Sequence, residues 1–323
     1  MNQRTFKLLT KKQAETNKVY GINPDKRPLK DLINNGIVII NKPQGPTSHQ
    51  VSDYVKKILN ISKAGHSGTL DPNVTGVLPV ALAKSTKILE YFFRFKKEYI
   101  ALMYVHKDFD RKELEKIIEK FKGKIKQIPP LKSAVKRVER TREIYYLDIL
   151  ETEGRNVLLR VGCEAGTYIR TLCHGIGKEL KTGAHMSQLI RTKSGPFTDK
   201  DWHSLYDLKD ALEFSKENES EIRKIIIPVE KAIDFIPKIY VLDSAVDPLC
   251  HGSELYSGGI SKLDSDIKEK DDVAILTLKG ELVAVGKSLF SSEDLMNQLS
   301  GTSVKTNKVF MEQGTYPKYE KES

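Results

Sequence analysis

Apolar and polar positions follow distinct rhythms along the chain, and the changes of rhythm divide it. Up to about Asp31 the text is polar and short of periodic apolar positions, which predicts an arm or a wrap. From Gly36 the run GIVIINKP is β-branched and closed by Lys42 and Pro43, the pattern of a buried strand. PTSHQVSDYVKKIL then predicts a turn and a helix, with Val51, Tyr54, Val55, Ile58 and Leu59 on one face and Thr47 or Ser48 as its cap. VLPVALAKSTKILEYF continues as strand or helix text, and KEYIALMYV predicts a further strand.

The rhythm turns helical again in DRKELEKIIEKF, led by Asp110 and ended by Gly123, before Pro129-Pro130 opens a non-helical segment. REIYYLDILETEGRNVLLRVGC predicts two strands around a Gly154 turn, broken at Gly166, and TYIRTLCHGIGKEL a helix. Gly183 predicts a short loop into HMSQLIRTKSGPF. Acidic, helix-prone text from Ser204 to Arg223 precedes IIIPVEKAI, which closes the first domain. After Pro237 the grain is finer: IYVL, VAILTL and ELVAVGKSL are separated by Gly252, Gly258-Gly259 and Lys279-Gly280. That spacing predicts a small β-barrel or sandwich, with residues 313–323 as a loose tail.

Composition narrows the classes. The 323 residues suggest about two domains, and a mean hydropathy of -0.41 with 30% charged residues describes a soluble chain. No apolar run nears the ~20 residues of a membrane span, and the first residues lack the apolar stretch of a secretory signal. Cys163, Cys173 and Cys250 show no paired spacing, so a reducing, cytoplasmic setting is expected. The net charge of +10 points to a polyanionic partner. Residues 1–30 carry eight Lys or Arg against two acids, and Lys132, Lys136, Arg137, Arg140 and Arg142 stand against Glu139 alone. Both clusters suit phosphate-backbone contacts, with a solvated face as the plainer alternative.

Candidate chemistry concentrates in GHSGTLDPNVTGVL, Gly65 to Leu78, where His66, Ser67, Thr69, Asp71 and Thr75 stand among three glycines and Pro72. Either Asp71 caps a turn, or a rigid turn presents its carboxylate to a pocket. A nucleophile elbow would need glycine where Thr69 stands. A nucleoside-triphosphate phosphate loop is missing from the text, Gly175-Ile176-Gly177 lacks a third glycine, and the adjacent pair Cys173-His174 has no zinc-spaced partners. A lone working carboxylate needs a cation to aim it. Arg170, in the apolar segment GTYIRTL where an unpaired guanidinium would be unfavourable, is the candidate. An acid nucleophile with an aromatic platform suits covalent work on an unstacked nucleobase.

The ordered motifs NKPQGPTSHQV, GHSGTLDPNVTGVLPVAL, KKEY, GTYIRTL and GAHMSQLIRTKSGPF resemble those of the TruB-type pseudouridine synthases. PPLKSAVKRVERTREIYYLDILE narrows the likeness to the dyskerin-like branch, the catalytic subunit of box H/ACA ribonucleoproteins, in its archaeal form without a Lys-rich tail. LCHGSELYSGGI and VAILTLKGELVAVG resemble its PUA RNA-binding domain, so the likeness runs from about Asp31 to Pro317. It implies an α+β fold: a catalytic domain (31–235) with a central mixed, mainly antiparallel sheet flanked by helices, after a basic arm (1–30). A β-barrel-like PUA domain (236–312) and a tail (313–323) complete the expected order.

The resemblance also implies roles. Asp71 matches the catalytic aspartate that attacks uridine, so that uracil detaches, rotates and rejoins through C5. Tyr99, in K-x-Y, matches the tyrosine that stacks on the flipped base, with proton removal a second candidate duty. Arg170 matches the aspartate's partner, His66 the histidine beside the flipped nucleotide, Leu189 a leucine near the uracil pocket, and Lys42 a lysine under its floor. Gly252 and Lys279 join the basic cluster as candidate RNA contacts. The implied reaction is an isomerisation without metal or cofactor. The implied partners are guide RNA, rRNA and possible tRNA substrates, and small H/ACA subunits, including a zinc-bearing protein and a kink-turn binder. Guide-free modification of the T-loop uridine of tRNA and a silent RNA scaffold are the alternatives. Ile190 and Gly175 depart from the pattern, where the branch has arginine and often aspartate.

Overall fold

The computed structural model describes residues 7–129 and 136–318. The chain divides into two compact units: a central one of residues 38–81 and 88–225, and a terminal one built from residues up to 37, 82–87 and those from 226 onward.

In the central unit the strands run in the spatial order Gly36–Lys42, Thr75–Leu82, Ala184–Ser194, Lys97–Val105, Asn156–Cys163, Arg140–Glu153, Gly123–Gln127. The pair Thr75–Leu82 and Ala184–Ser194 is parallel, while the ladders from Ala184–Ser194 out to Gly123–Gln127 are antiparallel. This is the mixed, mainly antiparallel α+β sheet expected. GIVIINK is buried along almost its whole length, as a β-branched run without alternation requires. Helix Ser48–Ile58 is capped by Thr47 in a reciprocal box with Gln50. Its Val51 and Val55 are buried, whereas Tyr54 is exposed, so the apolar stripe is narrower than the sequence suggested. Helices Arg111–Lys120 and Ile169–Glu179 contribute Leu114, Ile117, Ile118, Leu172, Cys173 and Ile176 to a core shared with Ala101, Met103, Leu147, Leu159 and Val161. At Gly175 a Cβ would lie 3.1 Å from the Phe121 ring, so the departure to glycine makes room for that ring.

Two strands were not legible. Gly123–Gln127 (GKIKQ) is a polar edge strand, and Ala184–Ser194 replaces the loop expected after Gly183. The latter is central to the sheet yet half exposed along its length, so it lacks the apolar alternation that betrays a strand.

The terminal unit corrects the barrel expectation. Its seven strands form an open path: Leu8–Thr10, Ile260–Asp264, Lys238–Val241, Asp272–Thr277, Leu282–Ser288, Thr302–Val309, Leu255–Tyr256. Closure needs the first and last strands to pair with each other, and here they are three and two residues long and pair only inward. The three strands read from the sequence, IYVL, VAILTL and ELVAVGKSL, are present, but four more join them and the sheet does not close. The outermost strand comes from the basic arm, whose Leu8, Leu9 and Thr10 align with Asp264, Leu263 and Lys262 and blunt the sheet edge. The arm continues through Thr16 and the Asn17 amide on Asp243, the Ile22 amide on Glu281, and a buried fork of Arg27 on Glu230 at 2.7–2.8 Å. The expected loose tail is anchored in its described part: Tyr316 is 1% exposed and donates its hydroxyl to Glu281, while 319–323 lie outside the described residues.

Candidate active site

The 67–74 segment joins the short strand Ala64–His66 to Thr75–Leu82 and is pinned from below. Lys42, fully buried at the end of its strand, donates to the carbonyls of Pro43, Pro72 and Val74 at 2.9–3.1 Å. The Gly45 amide donates to the same Pro72 carbonyl, and the Ser48 hydroxyl bonds both the amide and the carbonyl of Leu70. Burial lowers the pKa of Lys42, and the charge of Asp71 opposes that shift. These contacts leave the Asp71 carboxylate aimed outward. It receives a hydrogen bond from Arg170, rather than capping the turn, which closes through the main-chain bond from the Val74 amide to the Asp71 carbonyl.

Arg170 is the second residue of helix Ile169–Glu179. The backbone just before it is fixed by a reciprocal amide clamp, Gln127 Nε2 to the Tyr168 carbonyl at 3.1 Å and the Tyr168 amide to Gln127 Oε1 at 3.0 Å. Carboxylate and guanidinium are 57% and 50% exposed, contrary to the apolar site expected for Arg170. A helix terminus at a pocket mouth can be reached by water even where its sequence is apolar. At that exposure the pair adds little to stability, and its value is geometric.

Asp71, Arg170, Tyr99 and Leu189 line one cavity of about 490 Å³, together with Lys97, Arg191, Met186, Phe93 and the 165–168 loop. Tyr99 is buried beside Arg191, its register partner across the ladder, and burial raises its pKa. Arg191 is 1% exposed and donates Nε to the Val77 carbonyl at 2.8 Å. A bulge between Glu98 and Tyr99 leaves Thr192 unpaired, and its hydroxyl bonds Glu98 on the opposite face.

His66 lies in a neighbouring cavity of about 520 Å³ with His49, Lys56 and Lys63; the two cavities share Thr69 and Phe93. Its Nδ1 is 3.0 Å from the Ser52 hydroxyl, its ring stands edge-on to His49, and burial pushes its pKa down to about 4. Lys42 lies beneath the turn and lines neither cavity.

Of the basic candidates, Lys136 and Arg137 are exposed, Arg140 is half-buried, and Lys132 lies outside the described residues. Arg142 is folded inward, with its guanidinium against Gly166. Gly252 is exposed at φ +88, whereas Lys279 is held by the carbonyls of Tyr20 and Gly21 in the arm. Within the arm, Lys11 and Arg27 are bound to protein acceptors, while Lys7, Lys12, Lys18, Lys26 and Lys30 stay exposed. Sequence reasoning missed Arg191 and Lys97. Both were accessible through strand alternation, two residues from Leu189 and Tyr99 respectively and on the same faces.

Among the described residues no three His, Cys, Asp or Glu side chains converge as a metal site requires, and Cys173 is buried in the helix core. Three deeply buried acids elsewhere are engaged by neighbouring residues. Asp247 faces His251 at 3.6 Å, Glu230 holds Arg27, and Asp264 accepts the Lys238 amide.

Lys42→Met is expected to lower both melting temperature and turnover while leaving RNA binding intact. It removes the donor shared by three carbonyls at the Asp71 turn, and each unmet buried acceptor costs about 1–3 kcal/mol. Thermal melts and single-turnover rates check this; an unchanged rate would separate the floor from the chemistry.

Four family descriptions match the chain: a TruB family pseudouridylate synthase N-terminal domain over residues 56–169, a tRNA pseudouridylate synthase B C-terminal domain over 170–234, a PUA domain over 237–310, and a DKCLD domain over 2–52. A protein of Methanopyrus kandleri named "Probable tRNA pseudouridine synthase B" is 49% identical over 98% of this chain and 94% of its own length. One of Methanosarcina barkeri with the same name is 51% identical over 96% and 93%. Among solved structures, a chain in an H/ACA RNP bound to a substrate RNA containing 2'-deoxyuridine superposes with a TM-score of 0.89 at 47% identity, covering 97% of both chains. A chain in a Cbf5-Nop10-Gar1 complex gives 0.89 at 50%, covering 98% of this chain and 97% of that one.

Proposed function

The chain belongs to the TruB family of pseudouridylate synthases, and from that premise we propose that Asp71 opens the isomerisation of a uridine chosen by a box H/ACA guide RNA. The enzyme converts uridine to pseudouridine in RNA. In the proposed step the target base leaves its stack and enters the cavity, where Tyr99 and Leu189 offer it a ring face and an apolar wall. The Asp71 carboxylate, held by Arg170 at the mouth, attacks as the nucleophile. The glycosidic bond breaks, the uracil turns, and C5 bonds to the ribose as the bond to Asp71 breaks and the carboxylate is released. The proton lost from C5 is balanced by one gained at N1. The observation that carries this assignment is the single cavity joining Asp71, Arg170, Tyr99 and Leu189 from four separate elements.

Guidance by RNA rests on likeness to chains solved in H/ACA assemblies, two of which contain Nop10, and one of those Gar1 as well. We propose matching small subunits for this chain, including a zinc-bearing protein and a kink-turn binder, with the exposed arm lysines and the Lys136–Arg137 surface meeting guide-RNA phosphate. Ribosomal RNA is the proposed main substrate. A cytoplasmic setting fits the three buried, unbridged thiols Cys163, Cys173 and Cys250. Guide-free action on tRNA is the second reading, favoured by the names of the relatives.

The two readings separate in one assay. The chain is incubated with a tRNA transcript alone, and separately with guide RNA, the small subunits and an rRNA fragment, and pseudouridine is mapped in each. Product confined to the assembled mixture is expected; product on tRNA alone would overturn obligatory guidance.

A further inference from the structure

Two basic side chains, Lys97 and Arg191, line the cavity beside Tyr99, and among the described residues neither is paired with an acid. Lys97 and Tyr99 alternate on one face of their strand, while Glu98 turns to the other and bonds Tyr146 and Thr192. Lys97 is 5% exposed, its Nζ has no hydrogen-bond partner, and its Cε lies 3.3 Å from where a Cβ on Gly68 would stand, against the Asp71 turn. Gly68 has the Arg191 guanidinium on the same side, with Nη1 3.1 Å from that position. The groups around the amine are the Arg191 guanidinium, the Cys163 thiol and Ser194 opposite in register on either side, and the Phe95 ring at 5.4 Å. The Asp71 carboxylate lines the same cavity but is bonded to Arg170.

We infer that Lys97 is a positioning residue of the isomerisation site that works as an uncharged amine, leaving the neighbouring Arg191 in place beside Tyr99 and on the Val77 carbonyl. Protonating it would set two cations side by side in a buried space where neither is paired with a carboxylate, Asp71 being engaged by Arg170. The Arg191 guanidinium, held to the Val77 carbonyl and packed beside Tyr99 across the ladder, would be displaced, and the wall of the cavity next to the Tyr99 ring would shift. The setting agrees: burial first, then the charge of Arg191, brings Lys97 down to about 7, while burial drives Cys163 up to about 12, so the thiol stays neutral. His66, already down to about 4, does not titrate in the same range.

The inference rests on the pseudouridine synthase reading, so its test has one arm with activity and one without. In single turnover with the assembled guide RNA, the wild-type rate should fall about tenfold per pH unit below pH 7, as one ionisation requires. Lys97→Met, neutral and of similar length, should hold a near-constant rate over the same range and melt no lower than wild type. Lys97→Arg, permanently charged, should lose at least about a hundredfold at every pH. An acid limb retained in Lys97→Met, or a fully active Lys97→Arg, overturns the inference. Independently of activity, a ¹³Cε lysine titration of the free protein should show one resonance, lost in Lys97→Met, that moves near neutral pH. Its titration in the ordinary lysine range would also overturn the inference. Absence of any pseudouridine with a near-neutral resonance would instead count against the activity reading.

Discussion

Asp71→Asn is expected to abolish pseudouridine formation, with single-turnover rates down at least about a thousandfold, or ~4 kcal/mol of barrier. The amide keeps the shape of the carboxylate and can still accept a hydrogen bond from Arg170, so the turn and the cavity should persist. They are held from below by Lys42, Gly45 and Ser48, none of which touches the carboxylate. What disappears is the nucleophile. RNA affinity, read by filter binding, should remain within about threefold of wild type, because phosphate contacts dominate it. A variant within tenfold of the wild-type rate would sink the mechanism, whereas one that also loses its fold would show only that the turn needs the charge.

The largest expected effect on stability lies at Gly76→Ala. Gly76 has φ +112, and a Cβ there would stand 2.2 Å from the Arg191 carbonyl oxygen and 2.7 Å from its amide nitrogen. Backbone cannot yield as a flexible side chain does, so the two strands must part or the local ladder must shift. The loss should reach about 3 kcal/mol or more, at the severe end of single substitutions, and be visible as a large fall in the denaturation midpoint. Gly76 and Arg191 are the parallel register pair that joins the aspartate-bearing segment to the strand of Leu189 and Arg191. Activity should therefore fall further than stability in the fraction that still folds. A melting curve close to wild type would mean that this junction is looser than the close approach requires.

How much was legible in the sequence follows the physics of each element. The β-branched run at Gly36–Lys42, the capped helix at Ser48–Ile58 and the Lys97–Val105 strand were readable because burial dictates their residues. Ala184–Ser194 was not, because one side of it lines a cavity, and a functional surface breaks the alternation that burial would impose. Asp71 and Arg170 were named from motif order and charge logic, and the structure brings them together, but half exposed rather than sealed. Lys97 and Arg191 escaped notice because a lysine beside a motif tyrosine and an arginine in a polar-looking strand both read as surface. The open sheet of the terminal unit was missed for a different reason: one of its edge strands, Leu8–Thr10, comes from the other end of the chain, and no local pattern reveals a partner some 250 residues away.

That borrowed strand has a consequence for how the molecule is made. Leu8–Thr10 leaves the ribosome first, yet the strand it pairs with, Ile260–Asp264, emerges roughly 250 residues later. At about 5–20 residues per second this is a wait of roughly 10 to 50 seconds. The central unit, whose residues all fall between 38 and 225, is complete well before then. Leu8–Thr10 is therefore without its pairing strand while the residues between are translated, and the sheet edge it later braces cannot be covered before Ile260–Asp264 has emerged.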